Sequence, residues 1–137
     1  MQTLTRLEGV VRPLALDHDG KLVKQIGDAF MLVFDEAERA VVCGLELQGA
    51  ATAQRDFPAV RIGAHTGEVL YREGDYVGTN VNIAARVAAM AQRDQFTISA
   101  STRAAAGAMP DVRYVELGPQ HLKGIPEEVE LFDAQHS

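Results

Sequence analysis

A single cysteine, Cys43, excludes an internal disulfide and makes a reducing cytosol the expected home of the chain. No apolar run reaches membrane-spanning length, and the N-terminus lacks the basic-then-apolar pattern of a signal segment. Positive charge is scarce. The 13 Lys and Arg stand against 19 Asp and Glu, a formal net charge of −6, which argues against a nucleic-acid surface. A nucleotide ligand stays possible, because one lysine or one helix N-terminus can hold a phosphate. No internal repeat, low-complexity tract or linker is visible. What is present, 47% hydrophobic and 23% charged residues, suits one soluble globular domain over residues 1–137.

The chain is organised around residues 20–34, GKLVKQIGDAFMLVF. Two apolar runs flank Gly27-Asp28, and glycine there permits a positive φ, so the plain reading is a β-hairpin. Alternation predicts that Leu22, Lys24 and Ile26 share one face of the first strand. A lysine on an apolar face breaks the pattern. The pattern alone favours a packed stem with a snorkelling ammonium over a site. Residues 30–34 are apolar on both parities, which predicts a strand covered on both faces.

Upstream, Leu4, Leu7, Val10, Val11 and Leu14 recur at helical spacing, with Pro13 expected to kink or end the helix near Arg12. Asp17-His18-Asp19-Gly20 reads as a polar turn. Downstream, Asp35-Glu36 opens a second helix with a small-residue face at Ala37, Ala40, Val41, Gly44, Leu45 and Gln48. Phe57-Pro58 ends that connection. A strand from Val60 is expected to run to Gly67 or Val69, with His65 as a hydrogen-bonded histidine and no metal ligand. Glu73-Gly74-Asp75 reads as a turn. A third helix is predicted over residues 79–91, with Ala84, Val87, Ala88 and Ala91 inward and Asn82 and Arg86 together on the other side. Residues 96–99 form a short strand, Ser101-Thr102 cap a short helix through Ala106, and residues 113–117 and 129–132 form two strands around a Lys123-Gly124 turn.

Interleaved strands and helices with a hairpin near the front indicate an α/β fold with a mixed or antiparallel sheet. VKQIGDAFMLVF, RIGAHTGEV, DYVGTNVNIAARV and LGPQHLKGIPEEVELF follow in that order. In these segments the chain resembles the class III nucleotide cyclase catalytic domain of adenylyl and guanylyl cyclases. The third segment is the most specific, since D-x-x-G-x-x-V-N-x-A-x-R fixes six positions. The Ile26-Gly27-Asp28-Ala29-Phe30 hairpin differs from the GGDEF or GGEEF of the related diguanylate cyclases.

The resemblance implies a ferredoxin-like (palm-type) sandwich and conversion of ATP to cyclic AMP and pyrophosphate in signal transduction. It implies two Mg²⁺ or Mn²⁺ ions, about 3.5–4 Å apart in such centres. Asp28 matches one of the two metal-bridging aspartates. Lys24 and Asp75 match the base-selecting pair, a donor for adenine N1 and an acceptor for the exocyclic amine. Asn82 matches the ribose-orienting residue, and Arg86 the arginine that meets charge on the phosphoryl oxygens. Lys123 lies near a family triphosphate lysine, but the local match is too loose to carry that role.

The family domain begins with a strand and helix bearing the other metal aspartate, in a motif like F-x-D-I-x-x-F-T. Nothing here matches that motif, and Asp17 and Asp19 stand in the wrong place to replace it. The chain starts in what matches the following helix, so an interior strand is expected to be missing and an unpaired edge left behind. Family sites form between two chains. Three readings follow: an adenylate cyclase domain without its front, a subunit lending Lys24, Asp75, Asn82 and Arg86 to a complete chain in a homodimer or heterodimer, or a non-catalytic ATP-binding or dimerising module. Little or no turnover is expected of these 137 residues alone.

Overall fold

The computed structural model describes residues 2–54, 56–57 and 59–137, with side chains from residue 6 onward. Pro58 and the side chain of Leu4 lie outside the described residues. The elements run α1 (Gln2–Asp17), β1 (Gly20–Ile26), β2 (Ala29–Phe34), α2 (Ala37–Ala53), β3 (Ile62–Ala64), β4 (Leu70–Arg72), β5 (Asp75–Val77), α3 (Thr79–Met90), β6 (Phe96–Ser99), α4 (Ala100–Ala106), β7 (Val112–Gln120) and β8 (Val129–His136). This is the expected α/β palm-type arrangement of a mixed sheet with helices.

The main sheet has the order β3-β6-β8-β7, parallel between β3 and β6 and antiparallel elsewhere. All four residues of β6 are buried, as befits a strand with neighbours on both sides and helices above and below. Alternation sorts the core. Phe96, Ile98, Phe132 and Ala134 pack with Val41 and Leu45 of α2 and Ala106 of α4. Leu131 turns the other way, to Val87 of α3, Leu122 and Ile125. The small-residue face of α2 serves close packing as expected, for a Cβ at Gly44 would lie 2.4 Å from the Phe96 ring.

Among the described residues, β1 and β2 pair only with each other, as do β4 and β5. The outer edges of β2 and β3 therefore carry no strand partner, in keeping with the anticipated unpaired edge. Helices hold the first hairpin in place instead. Helix α2 packs on β2 as well as on β3, β6 and β8, and α1 packs on β1 and α2.

Several expectations need correction. Helix α1 runs on through Pro13. The hydrogen bond that proline forfeits would have gone to the carbonyl of Gly9, and both residues are exposed, so water can serve that carbonyl. β3 stops at Ala64 and does not reach Gly67, because its partner β6 gives way to α4 at Ala100 and His65 and Thr66 turn to side-chain partners there. The N-cap of α4 is Ser99, and Ser101 and Thr102 sit inside the first turn with their hydroxyls directed to Thr66. The turn expected at Glu73-Gly74 is there, with Asp75 already in a strand, and it joins two short strands not anticipated, residues 70–72 and 75–77, which pair as a hairpin. β7 and β8 run several residues beyond the predicted strands.

The largest correction concerns β1. Its register passes from Leu22↔Leu32 directly to Lys24↔Met31, so Val23 is an extra residue, a β-bulge. Facing residues of an antiparallel pair share a face. Lys24 therefore lies with Ile26 and with Lys21, which faces Val33, and opposite to Leu22. Three residues of regular strand would have set the two lysines on opposite faces.

Candidate functional site

The bulge sends both lysines of β1 to the β4–β5 hairpin. That hairpin turns through Glu73 and Gly74 at φ +50 and +82, the two-residue geometry that suits the twist of its strands. Lys24 Nζ donates to Asp75 Oδ2 at 2.7 Å. The other carboxylate oxygen accepts the Tyr76 N–H at 2.8 Å. The Lys21 ammonium lies 5.3 Å from the Tyr71 ring centroid and 5.7 Å from that of Tyr76. Those two rings meet edge to face at 5.0 Å. Two cations on one strand thus grip one hairpin, one through a carboxylate and one through ring quadrupoles.

The Lys24 ammonium is not a snorkelling tip. It is spoken for by Asp75, and both side chains are about one-third exposed, at 35% and 40%. The Lys24 hydrogen bond holds the Asp75 carboxyl below the usual carboxylate range; partial burial opposes this, and the Tyr76 N–H and the Lys24 charge assist it. The pair presents one donor and one acceptor side by side.

Helix α3 follows β5 after Gly78, which stands at φ +127 and, having no side chain, gives the helix no capping group. Val87 and Ala91 are buried beneath the helix, while Asn82 and Arg86, one turn apart, are exposed on the side away from the core. Among the described residues neither side chain is fastened by a hydrogen bond or ion pair. Lys24 and Asp75 are brought into contact. Asn82 and Arg86 share a helix face that follows directly from the strand bearing Asp75.

Asp28 stands apart, exposed at the tip of the β1–β2 hairpin beside Gly27 at φ +60. Among the described residues, no three His, Cys, Asp or Glu come together in a way that could hold a metal ion. One carboxylate with substrate phosphates can hold a single Mg²⁺. It does not fit a two-cation centre.

Two features escaped the sequence reading. Lys21 was missed because alternation without the bulge points it away from Lys24. His65 was read correctly as hydrogen-bonded, but its partners Asn80 and Ser99 lie 15 and 34 positions away, with no local signal to find them. Cys43 is buried and idle, its thiol pushed up to about 11 by burial first, then by Glu46 and Asp17. Among the described residues no helix is long and apolar enough to cross a membrane.

Residues 1–133 match the family model for the adenylate and guanylate cyclase catalytic domain, so the likeness extends forward of Gly20 into α1. A pH-sensitive adenylate cyclase of Mycobacterium tuberculosis is 33% identical over 130 residues, covering 93% of this chain and 32% of that protein. The chain spans 23% and 32% of the length of the first two curated relatives it matches. Among solved structures, an adenylate/guanylate cyclase/hydrolase from Silicibacter pomeroyi superposes with a TM-score of 0.82 at 27% identity, over 91% of this chain and 78% of that one. The catalytic core of a rhodopsin-guanylyl cyclase with converted specificity, in complex with ATPαS, reaches 0.86 at 24% identity over 97% of this chain and 80% of that one, a likeness of fold.

Proposed function

The chain belongs to the adenylate and guanylate cyclase catalytic domain family, and we propose that it carries the purine-reading and charge-balancing half of an adenylate cyclase site. The observation that carries this reading is the contact of Lys24 Nζ and Asp75 Oδ2 at 2.7 Å. Opening that pair around adenine gives the ammonium N1 to donate to and gives the carboxylate the exocyclic amine to accept from. Guanine offers an acceptor where adenine has its amine and a donor at N1, so each group would face its like. The reaction is closure of the cyclic ester: the 3′-hydroxyl oxygen bonds to the α-phosphorus as the bond to pyrophosphate breaks, and the hydroxyl proton is released to solvent. Asn82 orients the ribose. Arg86 meets the negative charge that grows on the phosphoryl oxygens, a contribution worth several kcal/mol where water is excluded.

The divalent cations of such sites supply stabilisation of the attacking and departing oxygens. Asp28 is a single exposed carboxylate that, with substrate phosphates, would hold at most one such ion. With one exposed carboxylate in place of a two-cation centre among the described residues, little or no turnover is expected of this chain without a partner. A second reading, a complementing or dimerising subunit, is favoured by the outer edges of β2 and β3, which lack a strand partner among the described residues, and by the exposed apolar residues around the base-reading pair. Ile26, Leu70 and Tyr71 are 59%, 56% and 57% exposed. They suit a second cyclase domain, homologous or identical, closing over the site.

Mixing provides the test. This chain is combined with a complete cyclase domain of the family whose own base-selecting lysine is changed to alanine. Cyclic AMP formation restored by the parent chain, and not by its Lys24→Ala variant, is the expected result. No restoration, together with equal thermal shifts by ATP and GTP in Mn²⁺, sinks the proposal.

A further inference from the structure

We propose that His65 is a positioning residue for the exposed side of α3 that carries Asn82 and Arg86. This rests on the nucleotide reading above only for its consequence, not for its geometry. Ser99 Oγ donates to His65 Nδ1 at 2.7 Å, His65 Nε2 donates to Asn80 Oδ1 at 2.9 Å, and Asn80 Nδ2 donates to the Glu68 carbonyl at 2.8 Å. The directions follow from one fact: a carbonyl can only accept. Asn80 must offer its NH₂ to Glu68 and its oxygen to the ring, so Nε2 carries a proton, and in the neutral imidazole Nδ1 is then the bare acceptor. Ser101 also lies 3.3 Å from Nδ1, but its proton goes to the Thr66 carbonyl at 2.8 Å, which leaves Ser99, 1% exposed, as the donor.

This relay ties the buried end of β6 to the first turn of α3, where a tie is needed. Gly78 supplies no capping side chain, and the Val81 and Asn82 amides reach the Gly78 carbonyl only at 3.2 and 3.4 Å. Gly67 leaves the seat open for Asn80, since a Cβ there would lie 2.4 Å from Asn80 Nδ2. Further along, a Cβ at Gly63 would lie 2.3 Å from the Ala88 backbone. Helix α3 is thus fixed at Asn80 and at Ala88, and Asn82 and Arg86 project from the span between these two anchors.

Two substitutions separate the halves of the ring. His65→Gln keeps a donor near the place of Nε2; His65→Asn keeps a group only near Nδ1. Asn80→Ala cuts the same link from the exposed side. Amide hydrogen exchange on the chain alone is expected to quicken about five- to tenfold at Val81 and Asn82 in His65→Asn and Asn80→Ala, and less than about twofold in His65→Gln, with β6 and β8 unchanged. Imidazole ¹⁵N spectra of the parent are expected to show the Nε2-protonated tautomer. The opposite tautomer, unaltered Val81 and Asn82 amides in His65→Asn, equal damage from Gln and Asn, or exchange raised throughout β6 and β8 each overturns the proposal. ATP titration with Mn²⁺ gives the separate arm. Weaker binding in the same two variants supports both readings, whereas the expected exchange pattern with no ATP binding by any form, parent included, sustains the positioning role and sinks the nucleotide reading.

Discussion

Lys24 meets Asp75 across 51 positions of sequence because the Val23 bulge turns its side chain to the same face as Lys21. The pairing has a titration signature. The Asp75 carboxyl lies below the usual carboxylate range, with the Lys24 hydrogen bond as the first cause. A depressed folded value means that the pair's contribution is present above the ordinary carboxylate pKa and is lost as pH falls through the lower, folded one. Carboxyl ¹³C titration is expected to place the Asp75 midpoint below the ordinary carboxylate value, and Lys24→Met to raise it. An unmoved midpoint in Lys24→Met contradicts the pairing.

On the proposed reading, base choice follows from the same pair. Removing one partner of a hydrogen-bonded reader leaves the other unmatched against the base, which costs more than the bond itself. Lys24→Met and Asp75→Ala are each expected to reduce the preference for ATP over GTP by about tenfold or more, an order of magnitude set by one lost charge-assisted bond. Competition titration of the two nucleotides against the parent and the variants measures it. Because the pair is partly solvated, thermal stability is expected to change little.

Most of the scaffold was legible in the sequence because its periodicities are local. The hairpin at Gly27, the helix over residues 79–91 with Val87 inward, and the small-residue face at Gly44 all follow from spacing and turn chemistry. What failed depended on distant partners. β3 is short because β6 is short, and Pro13 is tolerated because Gly9 faces water. The bulge at Val23 cannot be seen in β1 alone, since it exists only against the register of β2. The candidate site divides the same way: resemblance supplied Lys24, Asp75, Asn82 and Arg86, while Lys21 and the His65 relay emerged only from tertiary contacts.

Gly63 and Gly44 test the packing of the helices on the sheet. A Cβ at Gly63 would meet the backbone of Ala88 at 2.3 Å, and backbone cannot swing aside. Gly63→Ala is expected to destabilise by about 3 kcal/mol, at the upper end of overpacking. At Gly44 the obstacle is the Phe96 ring, a side chain that can shift, and alanine recovers up to about 1 kcal/mol of helix propensity. Gly44→Ala should therefore cost less. Urea midpoints of the two variants check the order, and reversal would show that α3 is less tightly seated than α2.

Cys43 should be inert in the folded chain. It is 3% exposed, and its thiol is pushed up to about 11, against 9.0 for an ordinary cysteine, chiefly by burial. The thiolate is the reactive form, so at pH 7.5 Ellman's reagent is expected to react slowly with native protein and rapidly once urea unfolds it. The raised folded value also sets a sign. This contribution to stability is intact below the unfolded thiol's pKa and falls as pH climbs through the folded one. Cys43→Ala should flatten that alkaline decline, and rapid labelling of the native state would contradict the burial.

The divided sheet makes the final prediction. β6 and β8 each have strand neighbours on two sides and residues 0–5% exposed at Phe96, Ile98, Leu131, Phe132 and Ala134. The β1–β2 ribbon has one ladder, no described strand beyond β2, and half-buried side chains held by α1 and α2. An isolated two-stranded hairpin is marginal in water, so its helical supports set its stability. Amides of β1 and β2 are expected to exchange by local opening, at least about a hundredfold faster than those of β6 and β8, which open only with the whole fold. A partner that adds a strand along β2 would slow the hairpin selectively. Equal protection of hairpin and central strands in the lone chain would mean that α1 and α2 weld the two parts into one cooperative unit, and the unpaired edge would then be no invitation to a partner.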